Sequence, residues 1–471
     1  MNTQFKKCGE KPLNSGKTKE IWAVEGYNDY VIMKSTDATT ADNDPSKTQI
    51  MKSKGMCSTI TTSRVFELLQ QAGIPTAYVQ QISDTEILAK KCYMIPLEVI
   101  IRRYAVGSYL DRMPQFKREG TPYRFHRLKF ELFLKTSKGI LNDINLRDYL
   151  PEEKEELIKY LDAPKTLQNI QKKKPEIQNL MELDRDVLVE EVIKIIDDPW
   201  IENPYYPEWA LAHPKKPTWT IPSLTRIDPI INLEMIQEIE ELTRKTFLIL
   251  EGAWNILGGY RLIDFKIEFG ITESGNLVVA DVIDNDSWRL RTADWKELSK
   301  QTFRDNHPLA QVQENYLRVA QLVEQFRIPK QAIILWRGSI KDDLEKFAEM
   351  PGIQYEDIVA SGHKSSQKVV DQLNELHATY PEGAVIIPIV GMSNGLGPIL
   401  SARTSWPVYS YCNSAKSNPE DIWSGLRMPS DVPHTIFLNI KNAYLAALDI
   451  LAMKNPVAYM TRQYAIEQLD E

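Results

Sequence analysis

The chain has 471 residues, more than one ordinary domain holds, so two or three domains are expected. Its 43% hydrophobic and 26% charged residues are those of a globular protein with ample core, and a net charge of −7 leaves no general basic face for nucleic acid. No run of about 18 apolar residues suited to a membrane span and no apolar signal core in "MNTQFKKCGEKP" are present, so the cytoplasm is the expected compartment.

An acidic chain that binds phosphorylated ligands must do so with local Arg and Lys clusters. Cys8, Cys57, Cys92 and Cys412 form no CxxC pair and read as free thiols. Along the chain, "KEIWAV" and "DYVIMKS" flank the turn-rich "EGYND", which predicts a hairpin over 19–35. The stretch feeding it, "LNSGKTKEIW" (13–22), presents Gly16, Lys17 and Lys19. It lacks Walker spacing and a following helix, and would suit a nucleotide held under a β-hairpin. "TITTSRVFELLQQAG" predicts a helix closed by Gly73. "MIPLEVIIRRYAVGSYL" starts as a β-branched run, and its Arg102, Arg103 and Ser108 offer donors to an anion.

From about Lys138 to Asp198 the chain is charge-dense and helix-forming with proline breaks. "WIENPYYPEWALAHPKKPTWTIP" then predicts an irregular surface segment. A helix resumes near Asn232, and "YRLIDFKIEFGIT" with "NLVVADVID" predicts a second hairpin around "ESGN". Alternation puts Asp264, Lys266 and Glu268 on one strand face, and Asp281 can lie across from Glu268. "VADVIDNDSWRL" (279–290) crowds Asp281, Asp284 and Asp286, acids that repel unless a cation, a donor or water relieves them. Two readings stand: a solvated strand-turn, or a divalent ion shared by Glu268 and Asp281 beside phosphates. Ser287, Arg289, Lys300 and Arg304 would serve a second anion.

Beyond about Phe326, "AIILW", "YEDIVA" and "AVIIPIV" alternate with helices, which predicts a parallel sheet with ligands at the strands' carboxyl ends. The domain boundary falls near 320–330, and no internal repeat is found. Three Gly/Ser-rich loops follow these runs: "RGSIKD" (337–342), "SGHKSS" (361–366) and "GMSNGLGP" (391–398). Each alone is also an ordinary turn; three on one edge make a phosphate pocket. His363 beside Lys364 is a candidate proton carrier.

"GKTKEIW", "DATTADN", "IRRYAVGS", "LIDFKIEFG" and "ADVIDNDSWRL…KQTFRD" resemble the succinylaminoimidazole-carboxamide ribotide (SAICAR) synthetase family. "GSIKD", "SGHKSS" and "GMSNGLGP" resemble the aminoimidazole ribonucleotide (AIR) carboxylase family. Both in one chain, in this order, resemble the animal bifunctional enzymes of purine biosynthesis. The resemblance covers nearly the whole chain outside about 138–232. It implies a mixed α/β and α+β protein: an ATP-grasp-like synthetase domain with antiparallel sheets over 1–325, carrying the 138–232 insertion, and a three-layer α/β/α parallel-sheet carboxylase domain over 326–471.

The resemblance further implies two consecutive reactions using ATP and Mg²⁺ but no biotin, on aminoimidazole ribotides, CO₂ and L-aspartate. It implies no nucleic acid, no membrane, and a homo-oligomer, an octamer through the carboxylase domain. Gly16, Lys17, Lys19 and Lys266 would hold ATP, and Glu268 with Asp281 the Mg²⁺. Asp37, Arg102, Ser108, Ser287, Arg289, Lys300 and Arg304 would bind substrate in the synthetase domain. In the carboxylase domain His363 would move the ring proton. Lys364, Ser393 and Asn394 would hold CO₂ or the new carboxylate, while Ser339, Asp342, Ser361 and Gly391 would contact the ribotide.

Four departures qualify the resemblance. Lys341 replaces a serine in the first carboxylase loop. Gly362 stands for alanine, with Ser365-Ser366 in place of Gly-Pro after Lys364. Asp42 stands for glycine, and could repel ATP or point to solvent. The synthetase family's Lys-Asp-Asp becomes Lys135-Thr136-Ser137. A paralogue that keeps the fold without one or both activities is therefore the alternative. "IIDDPWIENP" (195–204), about sixty residues past Lys135, suggests that the insertion splits one loop and that Asp198 serves beside Lys135 as a catalytic residue. The other reading makes Asp198-Pro199 a plain turn after a helix.

Overall fold

The computed structural model describes residues 5–16, 18–40, 48–141, 144–206, 208–215, 220–225, 231–305, 307–339 and 350–469. Two compact units emerge. The first comprises Met1–Ser63, Pro75–Arg244 and Leu262–Ala320; the second comprises Arg64–Ile74, Lys245–Arg261 and Gln321–Glu471. The four cysteines are unpaired, and among the described residues no helix is long and apolar enough to cross a membrane.

The first unit contains two antiparallel sheets. In the six-stranded one, Lys19–Val24 and Tyr27–Ser35 form the expected hairpin, turned at Gly26, whose φ of +76° suits glycine. Val24, Ile32 and Leu88 pack beneath it. The nine-stranded sheet centres on Arg124–Leu134, Leu97–Tyr104 and Arg261–Thr272. In Leu97–Tyr104 burial alternates at first and the last four residues, Ile101 to Tyr104, are all buried, so this paired-arginine strand is covered on both faces near its end. Arg261–Thr272 pairs with Leu277–Ala280, with Glu268 opposite Ala280. Asp281 therefore lies one residue past the expected register and leaves the ladder with φ +62°.

The insertion is helical over Lys154–Lys159, Ala163–Gln171 and Arg185–Ile196. Its Pro- and aromatic-rich second part is not irregular surface. Trp200–Ile201, Glu208–Ala212 and Thr220–Thr225 extend the large sheet. Trp209 and Leu211 alternate inward and are fully buried. Four prolines between these short strands, with Pro199 before them and Pro222 inside the last, hide the two-residue period that drives them.

In the second unit, five parallel strands run in the order Ile353–Val359, Gln331–Arg337, Ala384–Val390, Tyr409–Cys412, Thr435–Phe437. Ile334 and Trp336 face the helix Ser366–Thr379 through Val369, Leu373 and Leu376. Ile333 and Leu335 face the helix Ile440–Leu451 through Ala443, Ala447 and Leu448 on the other side. This is the expected three-layer arrangement. The strand order reverses beside Gln331–Arg337, and the loops leaving that strand and Ala384–Val390 open at a switch point where ligands bind in such sheets.

Candidate active sites

In the first unit, charges of both signs alternate at one end of the large sheet. Lys266 Nζ lies 2.6 Å from Glu98 Oε1 and 3.3 Å from Glu268 Oε1, and Lys135 Nζ lies 2.6 Å from Glu268 Oε2. Lys19 pairs with Asp281. Burial pulls the Lys19 ammonium down to about 8; Glu268 opposes that shift, while Lys135 and Lys266 add to it. Burial works against ionised Glu268 too, yet Lys266 and Lys135 hold its carboxyl below the ordinary value. Three lysines interleaved with three carboxylates suit a polyphosphate with its counter-cation. Gly16 donates its N–H to the Lys19 carbonyl at 2.9 Å and shapes the turn below. Lys17 and Asp42 lie outside the described residues.

The insertion returns to this edge. Leu134 N–H donates to the Pro199 carbonyl (2.9 Å), and Leu132 and Phe133 pair with Ile201 and Trp200. Asp198 Oδ1 accepts from Thr136 N–H at 2.8 Å, and Asp198 N–H donates to Thr136 Oγ1 at 3.0 Å. Asp197 accepts from the Thr136 hydroxyl and from Gly139 N–H. The two halves of the split loop thus lie side by side, and the helix does end at Ile196, just before them. Burial and the Glu98 charge raise the Asp198 carboxyl to about 6.

The crowded acids each have a separate partner. Asp281 takes Lys19. Asp284 accepts from the Ser58 hydroxyl and from Asp286 N–H (2.9 Å). Asp286 meets Lys54 and Lys300, each at 3.1 Å, and the Tyr316 hydroxyl. Lys54, Ser58 and Tyr316 carry no local signal in the sequence; their partners lie far along the chain. Ser287, expected to touch substrate, points inward: its hydroxyl donates to the Val282 carbonyl (3.1 Å) and accepts from Asp284 N–H (3.2 Å). One hydrogen and its lone pairs are spent closing the turn.

Arg102 is buried, with its guanidinium on Glu131 and Asp264, and Arg289 reaches the same Asp264 oxygen at 2.5 Å. Arg289 lies over Gly107, where φ is +59° and a Cβ would come 3.1 Å from Cζ. It is the more open of the two arginines, and the Gly107 beneath it precedes Ser108, which begins a short helix. Asp37 is engaged at a helix start, accepting from Gly55 N–H at 2.9 Å. Lys300 is committed to Asp286, and Arg304 is exposed.

In the second unit, Ser339, His363, Lys364 and Ser393 are exposed on loops that follow three neighbouring parallel strands. Ser361 Oγ accepts from Lys364 N–H at 3.3 Å and closes the His363 turn. The His363 ring rests on Gly395, which has no room for a Cβ. A Cβ at Gly362 would come 2.8 Å from the Gly395 backbone, so this departure from alanine is the residue the close loop packing requires. Gly391 sits at the root of the third loop. Asn394 corrects an expectation. Only 4% exposed, it donates to Ser410 and His434 and accepts from Gly397, leaving no side-chain group for CO₂. Lys341 and Asp342 lie outside the described residues.

The SAICAR synthetase family pattern matches residues 12–188 and 219–323, and the AIR carboxylase pattern matches 339–468. The first match runs through the helices Lys154–Lys159 and Ala163–Gln171, further than the resemblance suggested, stops within Arg185–Ile196 and skips 189–218. A probable multifunctional protein ADE2 of Caenorhabditis elegans is 33% identical over 95% of this chain and 91% of its own length. The bifunctional phosphoribosylaminoimidazole carboxylase/succinocarboxamide synthetase of Homo sapiens is 29% identical over 95% and 92%. Among solved structures, a SAICAR synthetase in complex with ADP is 22% identical, with a TM-score of 0.42, covering 66% of this chain and 96% of its own. With synthetase and carboxylase patterns in succession and a relative matched almost end to end, the chain belongs to the SAICAR synthetase family, in the form that carries an AIR carboxylase domain behind the synthetase.

Proposed function

We propose that the chain catalyses two consecutive steps of purine biosynthesis: carboxylation of an aminoimidazole ribotide by CO₂, then ATP-dependent joining of L-aspartate to the new carboxylate, giving the succinocarboxamide. The observation that carries this reading is that each family pattern coincides with its own assembled set of chemical groups: Lys19–Lys135–Lys266 with Glu268 in one unit, His363–Lys364–Ser393 in the other.

In the carboxylase site, the nucleophilic ring carbon attacks CO₂ and His363 takes the proton that the ring then sheds, without biotin. Lys364 and the Ser393 hydroxyl balance the new carboxylate. In the synthetase site, Lys19 and Lys266 hold ATP phosphates, Arg289 and Ser108 hold the ribotide, and the aspartate amine displaces phosphate from the activated carboxylate. Asp198, close to neutral pH in its proton affinity, takes the amine proton. Glu268 and Asp281 would hold Mg²⁺. Both are hard oxygen ligands, and each lies against a lysine, Glu268 on Lys135 and Asp281 on Lys19, where a cation shared with phosphate would sit. When bound, Mg²⁺ neutralises phosphate charge.

The alternative of an inactive paralogue drew on the departures. The acids missing after Lys135 are returned by Asp197 and Asp198, and Gly362 answers a packing need. We further read the protein as a cytoplasmic homo-octamer joined through the carboxylase unit, where Met392 (83% exposed), Trp423, Leu426 and Leu438 leave apolar surface uncovered. Sedimentation as a monomer at micromolar concentration overturns that assembly. The activities are tested together: purified chain should release phosphate from ATP only when aspartate and carboxylated ribotide are both present. Turnover of ATP without aspartate rejects the ligase reading.

A further inference from the structure

The carboxylase loop 391–397 is tied down at Asn394, whose backbone N–H donates to Ser424 Oγ at 3.0 Å and whose side chain is bonded at both ends. Gly397 N–H donates to Asn394 Oδ1 at 2.9 Å, which fixes the orientation of the amide. Asn394 Nδ2 must then donate both hydrogens, one to Ser410 Oγ at 3.2 Å and one toward His434 Nε2 at 2.8 Å. An acceptor at Nε2 makes the His434 imidazole neutral with its proton on Nδ1, which faces Ser401 Oγ at 3.3 Å. Burial holds the His434 ring below its ordinary pKa, in keeping with that neutral form. There is no slack around the pair: a Cβ on Gly397 would overlap His434, Ser410 and Asn394 together. Asn394 is joined directly to Gly395, the surface on which the His363 ring rests.

We propose that His434 is a positioning residue of the carboxylase: its neutral imidazole locks the Asn394 amide and thereby sets the Gly395 backbone that seats His363. This rests on reading His363 as the proton carrier. His434 itself touches no substrate group in this scheme, and its effect is transmitted through two covalently linked residues of the loop.

The geometry distinguishes the two ring nitrogens, and so does the test. In the full-length chain, His434→Gln can place an amide oxygen near the Nε2 position and accept from Asn394. His434→Asn reaches only the Nδ1 position. Carboxylation by H434Q should stay within about threefold of the parent, while H434N loses about tenfold or more in kcat with little change in the KM for ribotide. Asn394→Ala removes the same lock from the other side and should give the same kcat loss, and adding H434N to it should lower kcat no further. The synthetase rate of each preparation reports intact protein. H434N and H434Q equally slow, N394A at the parent rate, or losses that multiply in the double variant would each overturn the proposal. His363→Asn is assayed alongside: carboxylation by that variant rejects the reading of His363 and leaves the Asn394–His434 coupling to be judged by the double variant.

Discussion

Asp198 and Asp281 both hold left-handed backbone, with φ +56° and +62°, where aspartate is uncommon. Such conformations persist where surrounding bonds over-determine them, and Asp198 is clasped twice by Thr136. Its carboxyl, raised to about 6 first by burial and then by Glu98, binds its proton more tightly folded than unfolded. Stability from this group is therefore lost as pH rises from about 4 to about 6, the reverse of a salt-bridged aspartate. Asp198→Asn keeps the acceptor and removes the buried charge. It should raise stability above pH 6 by about 1–3 kcal/mol in denaturant titrations, cut synthetase turnover more than about tenfold, and abolish an acidic limb near pH 6. A slow variant with unchanged stability would argue against the burial account. Gly362→Ala must push a methyl into Gly395, and should lose most carboxylation while the synthetase rate holds. At this scale the sequence revealed which residue types gather in each loop. It could not reveal which way they point: Ser393 faces out, and Asn394 and Ser287 face in.

Among elements, the Lys19–Ser35 hairpin and the apolar strands Gln331–Arg337 and Ala384–Val390 were legible because their β-branched and apolar runs are bounded by turns. The strands Tyr409–Cys412 and Thr435–Phe437 were not; they are short and partly polar, and become strands by joining an existing edge. The second part of the insertion was misread for the opposite reason, its prolines outweighing the Trp209–Leu211 alternation. The insertion joins the synthetase edge through Thr136, whose hydroxyl donates to Asp197 and accepts from Asp198 N–H. Thr136→Val leaves that N–H without its partner and Asp197 Oδ1 with the Gly139 N–H alone, at a cost of about 1–3 kcal/mol. Chemical denaturation followed by the synthetase rate should show the first unit losing that stability. Carboxylation should be unaffected, since none of its groups belongs to this loop.

Across the whole molecule, an apolar-strand count places a boundary in the 320s but cannot see that Arg64–Ile74 and Lys245–Arg261 cluster with the second unit. Only long-range packing assigns those helical pieces. The chemistry, however, divides cleanly. Glu268, Asp281, Lys19 and Lys135 belong to the first unit, and His363, Lys364 and Ser393 to the second, each unit having its own sheet and core. Charge changes in one site therefore alter no hydrogen bond in the other. Glu268→Gln weakens the partner of Lys135 and Lys266 and removes a hard-oxygen charge; Asp281→Asn does the same for Lys19. Both variants should raise the Mg²⁺ concentration needed for ATP turnover and leave carboxylation at the parent rate. His363→Asn should do the converse, abolishing carboxylation while the synthetase runs normally on supplied carboxylated ribotide. An unchanged Mg²⁺ titration removes Glu268 and Asp281 from the metal site, and loss of both activities in a correctly assembled His363→Asn protein shows that the two chemistries are coupled.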